Sequence, residues 1–176
     1  ELRVITFRNK RQTPVYGNKE TLDNLQDRFD YLFKGGAHKI YPPVLEPHVI
    51  KDFGQAFSVS GLEIVPFMQD HGTIGTVGYR FGDLAYSVDM IRLDEDALRT
   101  LRGVKTWIVD CAAYKHTDNE VHANLETIYK YQESIQAENV YLTSLSLSMD
   151  YQTLLNELPK NIHPAYDGLK LYGSVK

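Results

Sequence analysis

Two residues that could hold a divalent metal stand where strands stop in the stretch Gly61 to Met90. They are His71 in Asp70-His71-Gly72 and Asp89 in Ser87-Val88-Asp89-Met90. A strand end lets a rigid sheet present an imidazole and a carboxylate at fixed separation, and neutral imidazole plus carboxylate is a usable ligand pair. The same residues carry a plainer reading. A His after a strand also serves as a hydrogen-bonded loop residue, and an Asp there also caps the next helix. The chain contains no His-x-His pair and no His-Glu-x-x-His, so spacing alone does not make a metal motif. His122 sits at the mouth of a helix. His38 and His48 lie in or beside a proline-rich run and read as solvated loop residues, with a lid over a site as the lesser alternative. Cys111 follows the apolar run Trp107-Ile108-Val109-Asp110 and reads as a buried packing residue rather than a nucleophile.

The elements that must position these residues follow from hydrophobic period and punctuation. Short apolar or alternating runs separated by Gly, with a Gly82-Asp83 hairpin signal, predict strands over Leu62 to Met68, Val77 to Phe81 and Leu84 to Val88. Upstream, Leu2 to Phe7 and Thr13 to Tyr16 read as strands. A helix opens at the N-cap Asn18 and runs to about Phe33 with Leu22, Leu25, Phe29, Leu32 and Phe33 on one face. Ala37 to Pro47 reads as loop or extended edge because Pro42, Pro43 and Pro47 cannot donate to a ladder, and Val49 to Val59 as a short strand pair. Downstream, Asp94 caps a short helix stopped by Gly103, Lys105 to Asp110 is a strand, and His122 starts a helix bearing Leu125, Ile128 and Ile135. Asn139 to Thr143 is a strand, Asp150 caps a helix from Tyr151 to Leu158, and Ile162 to Tyr166 and Leu169 to Tyr172 are short strands. Strands that cluster first and then alternate with helices predict an α/β fold, a mixed sheet flanked by helices.

At 176 residues the chain has room for one packed domain. A net charge of −4 disfavours nucleic acid as a partner. A single cysteine excludes an internal disulfide and fits a reducing compartment, and no apolar run reaches membrane-spanning length, so the expectation is cytoplasmic. The first strand has no turn or cap before it, so the sequence is expected to begin within a domain.

The order of parts then matches a family. His71-Gly72 precedes Gly78-Tyr79-Arg80, Asp89 follows a short apolar strand, His122 opens the helix after the next strand, and Asp167-Gly168 follows Ala165-Tyr166. Together these resemble the metallo-β-lactamase-fold hydrolases, and within them the phosphodiesterase branch of ribonuclease Z and the phosphoribosyl cyclic phosphate phosphodiesterase, over essentially the whole chain. The resemblance implies an αββα sandwich of which residues 1–176 form a single incomplete domain, with 1–59 the tail of the first half and 60–176 the second half. It implies two divalent ions, zinc or manganese, with His71 ligating one, Asp89 bridging both, and His122 as the catalytic residue that contacts the phosphate or protonates the leaving oxygen of a small phosphodiester. The family's His-x-His-x-Asp-His would lie upstream of Glu1, and Ser144 stands where the family's last ligand is a His, with Ser146 where some relatives carry another. With only His71 and Asp89 left of the expected ligands, metal binding by this chain is expected to be weak or absent. Two functions are therefore expected: a phosphodiesterase in its complete form, or a catalytically degenerate homologue acting as a binding or assembly partner. A small-molecule binding domain with no metal history ranks last. Self-association, or pairing with a missing N-terminal half, is expected through the sheet face of Leu62, Ile64, Val77, Tyr79 and Phe81.

Overall fold

Local propensity and tertiary placement disagree first at Leu2 to Phe7. In the computed structural model, which describes residues 2–36, 41–115 and 120–173, this run is not a strand but the helix α1 (Leu2–Asn9). Its buried Thr6 donates from Oγ1 to the Val44 carbonyl at 3.0 Å, and Lys10 at φ 53° stops the helix in the left-handed region. One tertiary anchor and one cap outweigh the strand preference of Val4, Ile5 and Thr6. His38 lies outside the described residues.

The chain divides into two units, Glu1–Asp52 and Phe53–Lys176. In the first, β1 (Thr13–Gly17) leads to α2 (Lys19–Arg28), capped as expected by Asn18, whose side chain accepts from the Thr21 amide at 2.7 Å. The helix expected to continue to Phe33 instead breaks at Phe29 (φ −128°, ψ 40°) and resumes as α3 (Asp30–Phe33). Phe29 is 40% exposed, so the predicted apolar face gives too little packing there to keep one axis. Of the two readings of Ala37 to Pro47, extended edge holds from Leu45, because β2 (Leu45–Val49) pairs parallel with β1 and places Pro47 opposite Val15. The strand pair expected over Val49 to Val59 is corrected, since β2 ends at Val49 and the next strand begins at Phe57. A two-stranded sheet has only edge strands, so a residue without an N–H is tolerated in it.

The second unit is a seven-stranded mixed sheet in the order β3 (Phe57–Val59), β4 (Leu62–Asp70), β5 (Gly75–Phe81), β6 (Leu84–Ser87), β7 (Thr106–Asp110), β8 (Asn139–Thr143), β9 (Ile162–Pro164). The first four pair antiparallel and the last three are added in parallel. Parallel neighbours need crossovers, and α4 (Glu95–Leu101), α5 (Leu125–Ile135) and α6 (Tyr151–Glu157) lie in them. Asp94 and Asp150 cap α4 and α6 as the sequence predicts. The strand expected to reach Tyr166 ends at Pro164, and Leu169 to Tyr172 forms no strand; Gly168 at φ 89° turns the chain instead.

Register explains the core. Ala85, Trp107, Val140 and Ile162 are mutual partners across β6 to β9, as are Ser87, Val109, Leu142 and Pro164, and all eight are buried. With period-two alternation these rows share one face, onto which α4 and α5 bring Ala97, Leu98, Leu101, Ile128 and Ile135. At roughly 25 cal/mol per Å² of apolar surface, this face supplies the main stabilisation of the unit. The opposite face carries Tyr79, Tyr86, Ile108, Tyr141 and His163, half-buried or exposed. Among the described residues no helix is long and apolar enough to cross a membrane.

Candidate functional site

Strand direction gathers the candidate residues on one edge. β4 and β6 are both antiparallel to β5 and so run the same way, and β7 and β8 are parallel to β6. The carboxyl ends of these four strands therefore lie together, which is where open α/β sheets bind ligands. His71 follows β4, Asp89 follows β6 by two residues, Asp110 ends β7, and Ser144 follows β8 directly. His122 comes from the loop after β7 and stands two residues before Asn124, the N-cap of α5. That loop is pinned beside the strand ends by Ala112 N–H to Ala123 O and Ala123 N–H to Met90 O, each at 2.9 Å.

The geometry brings the three sequence-predicted residues into one group. Ligand atoms of His71, Asp89 and His122 all lie within 4.8 Å of one another, with the two His partly buried and Asp89 exposed. The His71 and His122 rings meet edge to face, their centroids 5.1 Å apart at 65°. His71 Nδ1 lies 2.7 Å from the Val121 carbonyl, and since a carbonyl only accepts, Nδ1 carries the proton and Nε2 is the ring nitrogen with a lone pair to offer. His122 Nδ1 lies 2.5 Å from Asp110 Oδ2, the arrangement in which a carboxylate fixes tautomer and ring orientation. Two imidazoles anchored through Nδ1 and one carboxylate are a donor set that suits a borderline cation such as zinc. His48 belongs to the other unit, where it stacks on Tyr16 and sits 3.5 Å from Glu46. Ser144 is exposed, and its φ of 59° is left-handed.

Sequence reasoning missed the groups that hold this set in place. Asp110 is fully buried and accepts from His122 and, at 3.1 Å, from the Met90 amide. Burial pushes its carboxyl above the ordinary range, opposed by those two hydrogen bonds and by the Ser144 side chain beside it; Oδ1 nonetheless has no partner of good hydrogen-bond geometry. Asp70 closes the turn before His71 by accepting from the Gly72 amide at 2.8 Å, and Arg92 Nε lies 2.8 Å from its other oxygen. Burial pushes the Asp70 carboxyl up, but Arg92 and the Gly72 N–H outweigh it and hold the carboxyl below its usual value. The signal that could have found Asp110 is the one that found Asp89, a carboxylate at the end of an apolar strand. Cys111 is buried, as expected, and its thiol is pushed by burial up to about 12.

Residues 2–143 match the family model described as a beta-lactamase superfamily domain. An octanoyltransferase of Porphyromonas gingivalis is 28% identical over 97% of this chain and 34% of its own length. Among solved structures, a diphosphatase from the PhnP family is 27% identical, with a TM-score of 0.79 over 93% of this chain and 60% of its own. Zinc-bound PqqB from Methylobacterium extorquens is 20% identical with a TM-score of 0.66, covering 95% of this chain and 67% of its own. The chain thus spans about a third of the octanoyltransferase and 60% of the diphosphatase.

Proposed function

The chain belongs to the beta-lactamase superfamily, and on that premise we propose that its site serves metal-dependent hydrolysis, of a small phosphodiester when the family's remaining metal ligands are supplied. The observation that carries this reading is the convergence of His71, Asp89 and His122 within 4.8 Å on the carboxyl edge of the sheet. Similarity to a diphosphatase supports chemistry at phosphorus. His71 and Asp89 are the residues that would hold zinc or manganese, and in the absence of substrate His122 would add a third donor to the same ion. Divalent ions at such a site stabilise charge on phosphoryl oxygens and make water a nucleophile near neutral pH. Asp110 keeps the His122 proton on Nδ1, so Nε2 is the nitrogen that meets the phosphate or the departing oxygen. The Val121 carbonyl does the same for the His71 ring. With so few donors this chain falls short of a closed site and holds an ion weakly.

Ser144 favours a second reading, a catalytically degenerate homologue that acts as a binding or assembly partner, because a neutral hydroxyl binds zinc far more weakly than the imidazole of the family. The test is hydrolysis of bis(p-nitrophenyl) phosphate with added manganese by the longest natural form of the protein that contains these residues. We expect a rate that Asp89→Asn and His122→Ala each cut by roughly 100-fold or more. A rate indifferent to both substitutions overturns the proposal. No rate, even after Ser144→His, selects the binding partner.

A further inference from the structure

Beneath Asp89 runs a chain of hydrogen bonds whose direction is fixed by its ends. The Val88 carbonyl only accepts, so the Gln69 group 3.0 Å from it is the amide nitrogen. Gln69 Oε1 therefore faces Ser87, whose hydroxyl must donate to it at 2.5 Å. The second Gln69 amide hydrogen goes to Thr76 Oγ1 at 3.1 Å, which leaves the Thr76 hydroxyl to donate to the Asp89 carbonyl at 2.7 Å. Ser87 and Gln69 are buried at 0% and 3% exposure, so this order is not open to exchange with solvent at its inner end.

The next peptide atom continues the chain. The Asp89–Met90 peptide unit has its carbonyl held by Thr76 and its N–H held by Asp110 Oδ2 at 3.1 Å, and the same Asp110 oxygen holds His122 Nδ1. One peptide plane is thus clamped between a hydroxyl on β5 and the carboxylate that orients His122. The clamp favours the φ of 55° at Asp89, a left-handed conformation less costly for Asp than for most side chains but still uncommon outside glycine. Release of the carbonyl frees the plane to rotate, which takes the Met90 N–H off Asp110 and releases ψ of Asp89, so that the left-handed backbone carrying the Asp89 side chain can relax.

We propose that Thr76 is a positioning residue that, through the Asp89–Met90 peptide, sets the Asp89 carboxylate and the Asp110–His122 pair in one fixed relation. Gln69 and Ser87 orient the Thr76 hydroxyl. This rests on the site assigned above, not on its substrate.

The test compares Thr76→Val, which keeps the shape and removes the donor, with Thr76→Ser, which keeps the donor. Amide hydrogen exchange at Met90 and the His122 Nδ1 proton signal are read in the metal-free protein, beside manganese affinity and the hydrolysis assay. Thr76→Val is expected to speed Met90 exchange by roughly fivefold or more and to shift the His122 proton, and to weaken manganese binding by roughly tenfold where binding is measurable. Thr76→Ser is expected to restore all three. Ser87→Ala, which leaves Thr76 in place, gives the same changes at smaller size and serves if Thr76→Val does not fold. Unchanged Met90 exchange and an unshifted His122 proton in Thr76→Val and Ser87→Ala overturn the proposal, whatever happens to the rate. Changed signals in a protein that hydrolyses nothing leave the positioning role standing and remove the hydrolase reading instead.

Discussion

Replacing Gly72 by alanine attacks the site through its backbone. Gly72 has φ 76°, and a Cβ there would lie 2.7 Å from the Glu120 carbonyl oxygen and 2.9 Å from Val121 Cγ1. The left-handed conformation costs an L-residue about 1–2 kcal/mol, and forcing a methyl group against fixed backbone adds about 1–3 kcal/mol. The sum is about 3 kcal/mol, which in a chain of this size lowers Tm by about 6–12 °C. Gly61→Ala in the same unit isolates the first contribution, because Gly61 has φ 84° with nothing within 4 Å of its added Cβ; its cost should be about 1–2 kcal/mol. Urea unfolding of both variants gives the difference. The damage at Gly72 is also directional, since Val121 is the acceptor for His71 Nδ1 and precedes His122, so the His71 ring signal should shift in Gly72→Ala and stay in Gly61→Ala. Equal destabilisation by the two substitutions, or an unmoved His71 signal, would refute the claim that the His71 turn packs tightly against the loop carrying His122.

Cys111, buried with its thiol pushed up to about 12, should resist iodoacetamide at pH 8 in the folded protein and react on unfolding; rapid native labelling contradicts this. Asp150 caps α6, and its carboxyl is held below its ordinary value of 3.8, first by the Thr153 amide and then by the Thr153 hydroxyl. A depressed folded-state pKa gives stability that is present above the unfolded value and lost as pH falls through the folded one. The Tm gap between wild type and Asp150→Ala should therefore be constant from pH 7 to 5 and close below about pH 4; a gap that persists at acid pH counts against the cap. The apolar sheet face formed by Leu62, Ile64, Val77, Tyr79 and Phe81, half-buried, and by Tyr86, 46% exposed, predicts self-association at micromolar concentration in light scattering, which Tyr86→Lys should weaken; a monodisperse wild-type monomer opposes it.

Most of the second unit was legible because its signals are local. Asp94 and Asp150 as caps, Asn139 to Thr143 as a strand and the three strands from Leu62 onward all follow from period and punctuation that tertiary packing reinforces. The first unit was read less well. Val4, Ile5 and Thr6 look like strand until the bond from Thr6 to the Val44 carbonyl, 38 residues away, is known. Pro47 leaves loop and edge strand both open until β2 is seen to pair on one side only. His71, Asp89 and His122 could be named from the sequence, but their convergence was implied only by the family resemblance and not by the residues themselves, since strand order and direction decide which strand ends meet. Asp110 went unnoticed although it carries the same strand-end signal as Asp89, and Thr76 and Gln69 because polar strand residues have no motif; their meaning lies in which atoms they face.

His71, Asp89 and His122 should form one cation site. Zinc titration of the chain with ¹⁵N-labelled histidine tests this most directly, through the ring nitrogens of the described residues His48, His71, His122 and His163. His71 and His122 should respond together with one shared midpoint, weaker than that of a closed structural zinc site, His48 and His163 should not, and Asp89→Asn should abolish the joint response. Independent midpoints for His71 and His122, or a response that Asp89→Asn leaves intact, would contradict it.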